Sequence, residues 1–242
     1  MTLRLSEQGV RKIDAFWAND LGCLPEDFHE EGVGVTERQA SCDPYAHVFH
    51  RLERLQIDCS LSLYEDVRSA VQGRAPEEVF KPAFWWSALG VHVERIVGPT
   101  YLGYKDVVDE SPVDPHVRLL GVDEGVLLDH LRHGVASQEW EHSGLEEGRP
   151  IAGYFLDGML VAAAGYEVWG GTLAHIGVTT HVRLRRRGFG RACVWSIMDE
   201  AIKSGLVAQY QTLFENEPSI AVARALGFEE YGQRMFVRCK AA

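Results

Sequence analysis

Residues 185–192 read Arg-Arg-Arg-Gly-Phe-Gly-Arg-Ala and stand between a strand-like and a helix-like run of sequence. Gly188 and Gly190 allow a tight turn in which backbone N–H groups converge on one point. A helix that begins directly after such a turn aims the positive end of its dipole at the same point. The stretch therefore predicts a binding site for a phosphate group.

The flanking sequence supports this interpretation. Residues 173–180 are rich in apolar and β-branched side chains, as expected for a largely buried strand. After the turn, apolar residues recur at helical spacing until Ser204 and Gly205 supply a stop. The apolar positions of this helix are Ala192, Val194, Trp195, Met198, Ala201 and Ile202.

The arginine-glycine stretch has two other interpretations. A dinucleotide fingerprint needs a third glycine, but that position is Cys193 and the stretch lies late in the chain. An arginine run can also be a solvated face or a nucleic-acid surface. The net charge of −11 argues against binding of a nucleic-acid backbone by the whole chain.

The sequence after this helix completes a recognisable order. Residues 207–213 predict a strand, and Asn216 offers an N-cap to a helix that tolerates Pro218 in its first turn. An apolar stripe follows, Gly227 ends the helix, and residues 235–239 predict a closing strand. With Arg-x-x-Gly-x-Gly before it and Leu-Gly-Phe at 226–228, the region resembles the GNAT superfamily of acyl-CoA N-acyltransferases. The resemblance covers about residues 115–240.

The resemblance implies an α/β (α+β) fold with a mixed, largely antiparallel central sheet flanked by helices. In that frame the first strand is 117–122, two helices lie within 123–144, and the next strands are 149–155 and 160–169. Asp157-Gly158 between the latter two predicts a two-residue hairpin turn. Residues 115–242 are therefore expected to form a GNAT domain.

Residues 1–114 predict a separate α/β unit. Strands are expected at 46–51, 55–63 and 93–97, the last ended by Gly98-Pro99, with helices at 64–72 and 76–89. A linker is expected at 106–114. The unit lacks a glycine-rich phosphate loop, so it is read either as a degenerate GNAT-like half or as a lid or packing domain.

Composition bounds the class of protein. The 242 residues contain no apolar run long enough to span a bilayer and no signal-peptide core near the start, which predicts a cytoplasmic enzyme that contacts no membrane. Five cysteines without a Cys-x-x-Cys pair predict free thiols, and no metal-ligand spacing is present. Most of the excess negative charge lies in the first half, where it could attract an amine or only aid solubility.

The resemblance implies acetyl-CoA as the acyl-donor cosubstrate, and it assigns residues by position. Val178, Thr179 and Thr180 would bond the pantetheine arm through their main chain, and an amide there would polarise the thioester carbonyl. Asn216 would contact the pantetheine or a water, with Ser219 close to it on the same helix. The phosphates would be held by Arg185, Arg186, Arg187, Gly188, Phe189, Gly190 and Arg191.

The acid and base that many relatives use are replaced here. Ala223 stands where the family commonly has a tyrosine that protonates the leaving thiolate, and Ala174 stands where it has a carboxylate. Ser219 is a substitute acid or merely a residue of the helix start. Because a thiol has a pKa of about 8.5, it can also leave with water as the donor.

For the base, the stretch at 139–143 offers two carboxylates. Glu141, with Glu139 as the alternative, is expected to bind the acceptor ammonium and take its proton. The other interpretation is a helix end with polar residues. His175 is the second candidate base, if a β-bulge turns it toward the cleft, and otherwise a buried structural histidine.

Three functions remain open. The first is an N-acetyltransferase in which a small-molecule or peptide amine attacks acetyl-CoA directly, because Cys193 inside the helix is a poor nucleophile. The second is a catalytically silent acyl-CoA-binding sensor or scaffold, and the third an interaction protein whose first half does the work. The acceptor is not readable, and the oligomeric state is left open, with a homodimer as one alternative.

Overall fold

The computed structural model describes residues 5–39, 43–108, 114–121 and 123–240. The helices in these ranges are α1 (Glu7–Leu21), α2 (Tyr64–Val71), α3 (Pro76–Val79), α4 (Pro82–Leu89), α5 (Gly125–Arg132), α6 (Ser137–Ser143), α7 (Phe189–Lys203) and α8 (Glu217–Ala225). The strands are β1 (Gly32–Arg38), β2 (Tyr45–Arg51), β3 (Arg54–Ser60), β4 (Val93–Lys105), β5 (Val117–Leu119), β6 (Ile151–Leu156), β7 (Met159–Trp169), β8 (Leu173–Thr180), β9 (Val207–Leu213) and β10 (Glu229–Cys239).

Internal contacts divide the chain into two compact units. Unit 1 consists of residues 1–9, 104–210 and 221–229, and unit 2 consists of residues 10–103, 211–220 and 230–242. Both units therefore include segments from the C-terminal part of the chain. The assignment of residues 1–114 and 115–242 as separate domains stays a prediction.

The strands of unit 1 follow the order β9-β8-β7-β6-β5. β8 and β9 run parallel, and the other neighbouring pairs run antiparallel. The turn between β6 and β7 has positive φ at both Asp157 (50°) and Gly158 (80°), as a type I′ hairpin turn requires. The bounds predicted for the strands at 173–180 and 207–213 and the position of this hairpin turn are thus confirmed.

Helices cover both faces of β8. A Cβ on Gly177 would collide with the backbone carbonyl of Ser143 at the end of α6, whereas Gly190 of α7 lies against Val178 and Thr180. Because successive strand residues point to opposite faces, α6 and α7 pack on opposite sides of the strand. The neighbouring strand β7 is buried on both faces at 160–166, which explains its continuous apolar run.

One apolar core of unit 1 lies between α5 and the hairpin formed by β6 and β7. Leu128 and Leu131 of α5 pack with Ile151, Leu160 and Ala163 of β6 and β7. On the other side, α7 buries a stripe of apolar residues at helical spacing, which fixes the helix against the sheet. The stripe consists of Cys193, Val194, Ile197, Met198 and Ala201.

The strands of unit 2 follow the order β1-β3-β2-β10-β4, with β1 and β3 parallel. Its main apolar core lies between these strands and the helices α2 and α4. A buried ion pair is also present, because Nη1 of Arg51 donates to Oδ1 of Asp14 at 2.7 Å and both side chains are 6% exposed. The hydroxyl of Tyr231 also donates to Asp14, and the Arg51 guanidinium lies over the Tyr231 ring at 4.1 Å.

Three predicted element boundaries in residues 46–105 are wrong. β4 does not end at Gly98-Pro99 but continues to Lys105, because the following residues include the fully buried Tyr101, Leu102 and Tyr104. The helix predicted at 76–89 is split into α3 and α4, because the residue before Pro82 is disfavoured in the helical region. β3 ends at Ser60, and Leu61–Leu63 forms a 3₁₀ turn.

Other differences concern elements that were not predicted and the ends of strands. α1 and β1 were not predicted, and β10 begins at Glu229 rather than at residue 235. β5 ends at Leu119, while residue 122 lies outside the described residues. Residues 109–113 of the predicted linker are also outside them.

The fold class is confirmed as mixed α/β with largely antiparallel strand pairing. That residues 1–114 are a degenerate copy of the GNAT fold stays a prediction. In the described part of the chain, no helix combines the length and the apolar character needed to cross a bilayer.

Candidate functional site

The predicted phosphate loop follows β8 directly and leads into α7. After Thr180, residues Val182–Leu184 form one 3₁₀ turn, and α7 begins at Phe189. Two loop residues adopt left-handed backbone conformations, Arg186 with φ of 63° and Gly188 with φ of 87°. Left-handed residues at alternate positions turn successive N–H groups toward a common point, the geometry that binds anions.

The N-terminus of α7 has no side-chain cap. Gly188 occupies the N-cap position with ψ of −3°, and it has no side chain that could accept a hydrogen bond from the first turn. The first N–H groups of a helix have no partner within the helix. An anion that binds here would meet these donors and the positive end of the dipole of a 15-residue helix.

Two residues fix where this helix begins. A Cβ on Gly190 would lie 2.8 Å from Oγ1 of Thr180 and 3.3 Å from Cγ2 of Val178, so only glycine allows α7 to approach β8 this closely. The ring of Phe189 stacks on Tyr154 of β6, with 4.3 Å between centroids. The Phe189 side chain therefore packs against the sheet and holds the start of the helix in place. A ligand in the loop would meet the backbone of Phe189 and not its ring.

Arg185 connects the loop to α6. Its Nε donates to the carbonyl oxygen of Thr180 at 3.3 Å, and its Nη2 donates to Oε2 of Glu139 at 2.5 Å. The side chains of Arg185 and Glu139 are 42% and 37% exposed, so solvent and ligands can reach this ion pair. Arg186, Arg187 and Arg191 are exposed.

Glu139 is the carboxylate that the structure brings to β8. Its Oε1 accepts a hydrogen bond from Oγ1 of Thr179 at 3.1 Å, and Thr179 is only 2% exposed. Glu141, the preferred base in the sequence prediction, is exposed on α6. His142 on the same helix uses its Nδ1 in a contact with the carbonyl oxygen of Gln138 at 2.5 Å.

His175 lies farther back on β8 in a polar contact with the next strand. Its Nδ1 is 3.0 Å from Oε1 of Gln209, whose Nε2 donates to the hydroxyl of the buried Tyr104 at 2.7 Å. The ring also stacks on Trp169 with 4.0 Å between centroids. The register between β7 and β8 is continuous, so the β-bulge considered for His175 is not present. Alternation therefore keeps it on the face of Gly177 and Thr179.

The residues expected at α8 have structural roles. Oδ1 of Asn216 accepts a hydrogen bond from the backbone N–H of Ser219 at 3.3 Å, which confirms the predicted N-cap. Ser219 is half-buried. Ala223 and Ala174, which replace the usual acid and base, are both completely buried. A larger side chain at either position would have to displace its neighbours.

Cys193 is buried inside α7, and its Sγ lies 3.5 Å from the carbonyl oxygen of Ala162. Burial raises the pKa of this thiol. A protonated, inaccessible thiol is not a nucleophile, which agrees with the prediction for this residue. Within the described ranges, no three His, Cys, Asp or Glu side chains come together as metal ligands.

A cavity of about 500 Å³ adjoins the loop and was not predicted. It lies between the connection from α5 to α6 and the residues directly after β8, and its lining consists of His133, Gly134, Val135, Ala136, His181, Val182 and Arg183. The backbone N–H of Val182 donates to the Gly134 carbonyl at 3.0 Å, which ties the two segments together. The signal in the sequence was the position of His181, one residue after the proposed pantetheine-binding stretch.

The region that contains this loop is similar to a known protein family. Residues 153–233 match the family model described as GNAT acetyltransferase. This part of the chain is therefore similar to the GNAT acetyltransferase family. The match contains β8, the phosphate loop, α7, β9 and α8, and GNAT proteins use acyl-CoA. A search of curated protein sequences gives no match to this chain.

Solved structures extend the likeness in fold over nearly the whole chain. A GCN5-related N-acetyltransferase from Kribbella flavida is 15% identical, with 97% of this chain and 96% of that protein covered and a TM-score of 0.52. A GCN5-related N-acetyltransferase-like protein from Streptococcus suis is 13% identical, with 96% and 99% covered and a TM-score of 0.51. At these identities the likeness concerns the fold alone.

One further structure was solved with a cofactor. An aminoglycoside N-acetyltransferase in complex with CoA is 19% identical to this chain, with 48% of this chain and 92% of that protein covered and a TM-score of 0.37.

Proposed function

We propose that this protein is an acetyl-CoA-dependent N-acetyltransferase in which an acceptor amine attacks the thioester directly. The observation that carries the proposal is the open N-terminus of α7, where the left-handed Arg186 and Gly188 precede a helix without a side-chain cap. Such a terminus suits a diphosphate, because the N–H donors and the helix dipole act on the same charge. The match of residues 153–233 to the GNAT family model supports acyl-CoA as the molecule that carries this diphosphate.

The donor would lie along β8. The diphosphate binds the main-chain N–H groups of residues 186–191, and the pantetheine arm bonds the main chain of Val178 to Thr180. In this position a backbone amide near Thr179 can donate to the thioester oxygen as it gains charge. A fixed donor of this kind stabilises the tetrahedral intermediate of acyl transfer.

The acceptor would enter through the cavity beside His181. Glu139 follows Ala136 of the cavity lining by one helical turn, and it contacts Thr179 at the proposed thioester position. A carboxylate there can attract an ammonium group and accept its proton before the amine attacks. We therefore prefer Glu139 as the base, with Glu141 and His175 as the alternatives.

No residue is assigned as the general acid. Ala223 and Ala174 are buried alanines, and Ser219 lies in the first turn of α8. The thiolate of CoA can take its proton from water or from the attacking nitrogen, because a thiol pKa of about 8.5 makes it a moderate leaving group. The reaction then needs no covalent enzyme intermediate, in keeping with the buried Cys193.

The cysteines bear on the cellular compartment in which the protein would work. Cys23, Cys59, Cys193 and Cys239 are free thiols in the described structure, as in proteins of a reducing compartment such as the cytoplasm. The partner would be a small-molecule or peptide amine, not a nucleic acid or a membrane.

The direct test is a screen for thiol release from acetyl-CoA over amines, amino acids, aminoglycosides and peptides. We expect release that depends on one class of amine and that yields the acetylated product in equal amount. Binding of acetyl-CoA without release for any acceptor would contradict the enzyme and favour the second candidate, a silent acyl-CoA-binding protein. The buried alanines at 223 and 174 are the observation in favour of that candidate.

A further inference from the structure

Glu139 and Arg185 form an ion pair that joins the proposed base to the proposed phosphate loop. The Arg185 guanidinium contacts Oε2 of Glu139 at 2.5 Å, and the other carboxylate oxygen accepts from Thr179 at 3.1 Å. The two residues are 46 positions apart in sequence and belong to α6 and to the loop after β8. A single carboxylate therefore connects the proposed thioester position with the proposed diphosphate site.

The carboxylate and a diphosphate compete for the same group. A guanidinium binds carboxylates and phosphates with the same planar arrangement of N–H donors. Arg185 is partly exposed, and its Nε contact with the Thr180 carbonyl anchors the side chain beside the loop. A diphosphate on the α7 N-terminus would bring more negative charge to Arg185 than Glu139 carries.

We propose that the Glu139–Arg185 pair is a donor-controlled switch, an inference that rests on the proposed function. In the free protein Arg185 neutralises Glu139. When acetyl-CoA binds, its diphosphate takes over Arg185, and Glu139 stays in place through Thr179 with its charge no longer paired. The protein then presents a base for the acceptor only after the donor is bound.

The proton transfers balance in this scheme. The acceptor ammonium gives one proton to the Glu139 carboxylate, and the nitrogen lone pair attacks the thioester carbon. The carbon–sulfur bond breaks, and the sulfur takes the second proton that leaves the nitrogen. Glu139 finally returns its proton to solvent. The products are the acetylated amine, CoA with a free thiol, and one proton.

The switch makes a prediction that a purely structural ion pair does not. If Glu139 competes with the diphosphate, Glu139→Gln should bind CoA about 2- to 5-fold more tightly than the wild type, the effect expected from a partly exposed ion pair. If Glu139 instead prepares Arg185 for the phosphate, the same variant should bind CoA more weakly. In both cases the glutamine can still accept the hydrogen bond from Thr179.

The experiment is calorimetric titration of the full chain with CoA, for the wild type, Glu139→Gln and Glu146→Gln. Glu146 pairs with Arg149 at 2.8 Å in the same unit, so its variant removes a comparable ion pair away from the loop. We expect tighter CoA binding in Glu139→Gln alone. Equal or weaker binding in Glu139→Gln would overturn the switch.

A second measurement separates the switch from the enzyme. With an acceptor from the screen, turnover of Glu139→Gln should fall by about 10²- to 10⁴-fold. The acceptor should also bind the wild type more tightly with CoA present than without it, and Glu139→Gln should lose this coupling. Unchanged turnover would refute Glu139 as the base. If no acceptor exists, the proposed activity fails while the CoA titration still decides whether the ion pair competes with the donor.

Discussion

The helices α7 and α8 each follow a strand, yet they begin in opposite ways. α7 starts at the left-handed Gly188, which offers no side chain to its first turn. α8 starts after Asn216, whose Oδ1 accepts a hydrogen bond from the Ser219 N–H at 3.3 Å. One helix thus leaves N–H donors for a ligand, and the other satisfies a donor with its own chain.

The starts of α7 and α8 also differ in the residues that lie next to them. Gly190 brings α7 against Val178 and Thr180, so the free donors lie beside the end of β8. α8 instead carries the completely buried Ala223 nearly two turns after its start. The comparison indicates that a helix start can serve as an anion site when it has no side-chain cap and a glycine beside it leaves space. Three predictions test this contrast.

The largest effect is expected from Gly188→Glu. The glutamate would place a negative charge at the proposed diphosphate site, and opposed like charges cost several kcal/mol, so we expect CoA affinity to fall at least about 100-fold. Calorimetric titration with CoA measures the loss. Thermal unfolding of the same variant shows whether the fold survives the change.

Gly188→Asn is the matched control for this position. Asparagine tolerates the left-handed conformation with φ of 87° better than other residues that have a Cβ, and it adds no charge. We expect Gly188→Asn to keep most of the CoA affinity. Equal CoA affinity in Gly188→Glu and the wild type would remove the diphosphate from this helix start.

The loop could be predicted from the sequence because its signals are local. Strand, glycine turn and helix are adjacent, and β8 and β9 were predicted with their observed bounds because both strands are largely buried and rich in apolar and β-branched residues. Gly98 and Pro99 misled the prediction of β4, because local turn signals do not report the buried tyrosines that follow.

Contacts between distant residues could not be predicted in the same way. Glu139 and Glu141 are equivalent in sequence, and only the packing of α6 against β8 brings Glu139 to Thr179 and Arg185. The cavity lining depends likewise on two segments, at 133–136 and 181–183, that meet only in the folded unit. The sequence therefore predicted the structure of the proposed phosphate loop more closely than that of the proposed acceptor side.

A smaller effect is expected from Ala223→Tyr, which restores the tyrosine common in the family. Because Ala223 is completely buried, the ring would overpack its surroundings and cost about 1–3 kcal/mol of unfolding free energy. Ala225→Tyr, at an exposed position of the same helix, should change stability by less than about 0.5 kcal/mol. Urea unfolding compares the two. If Ala223→Tyr were as stable as Ala225→Tyr and altered turnover, this face of α8 would be open to the donor.

The smallest effect concerns Asn216, where capping and ligand binding can be separated. Asn216→Ala removes the cap and should lower the unfolding free energy by about 0.5–2 kcal/mol. Asn216→Asp keeps an oxygen for the Ser219 N–H, so it should retain stability, but it removes the amide N–H₂ that could donate to the pantetheine. If that donor is used, Asn216→Asp should weaken CoA binding by about 2- to 10-fold, the value of one hydrogen bond. Unchanged CoA affinity in Asn216→Asp, with stability lost only in Asn216→Ala, would leave Asn216 with the cap as its function.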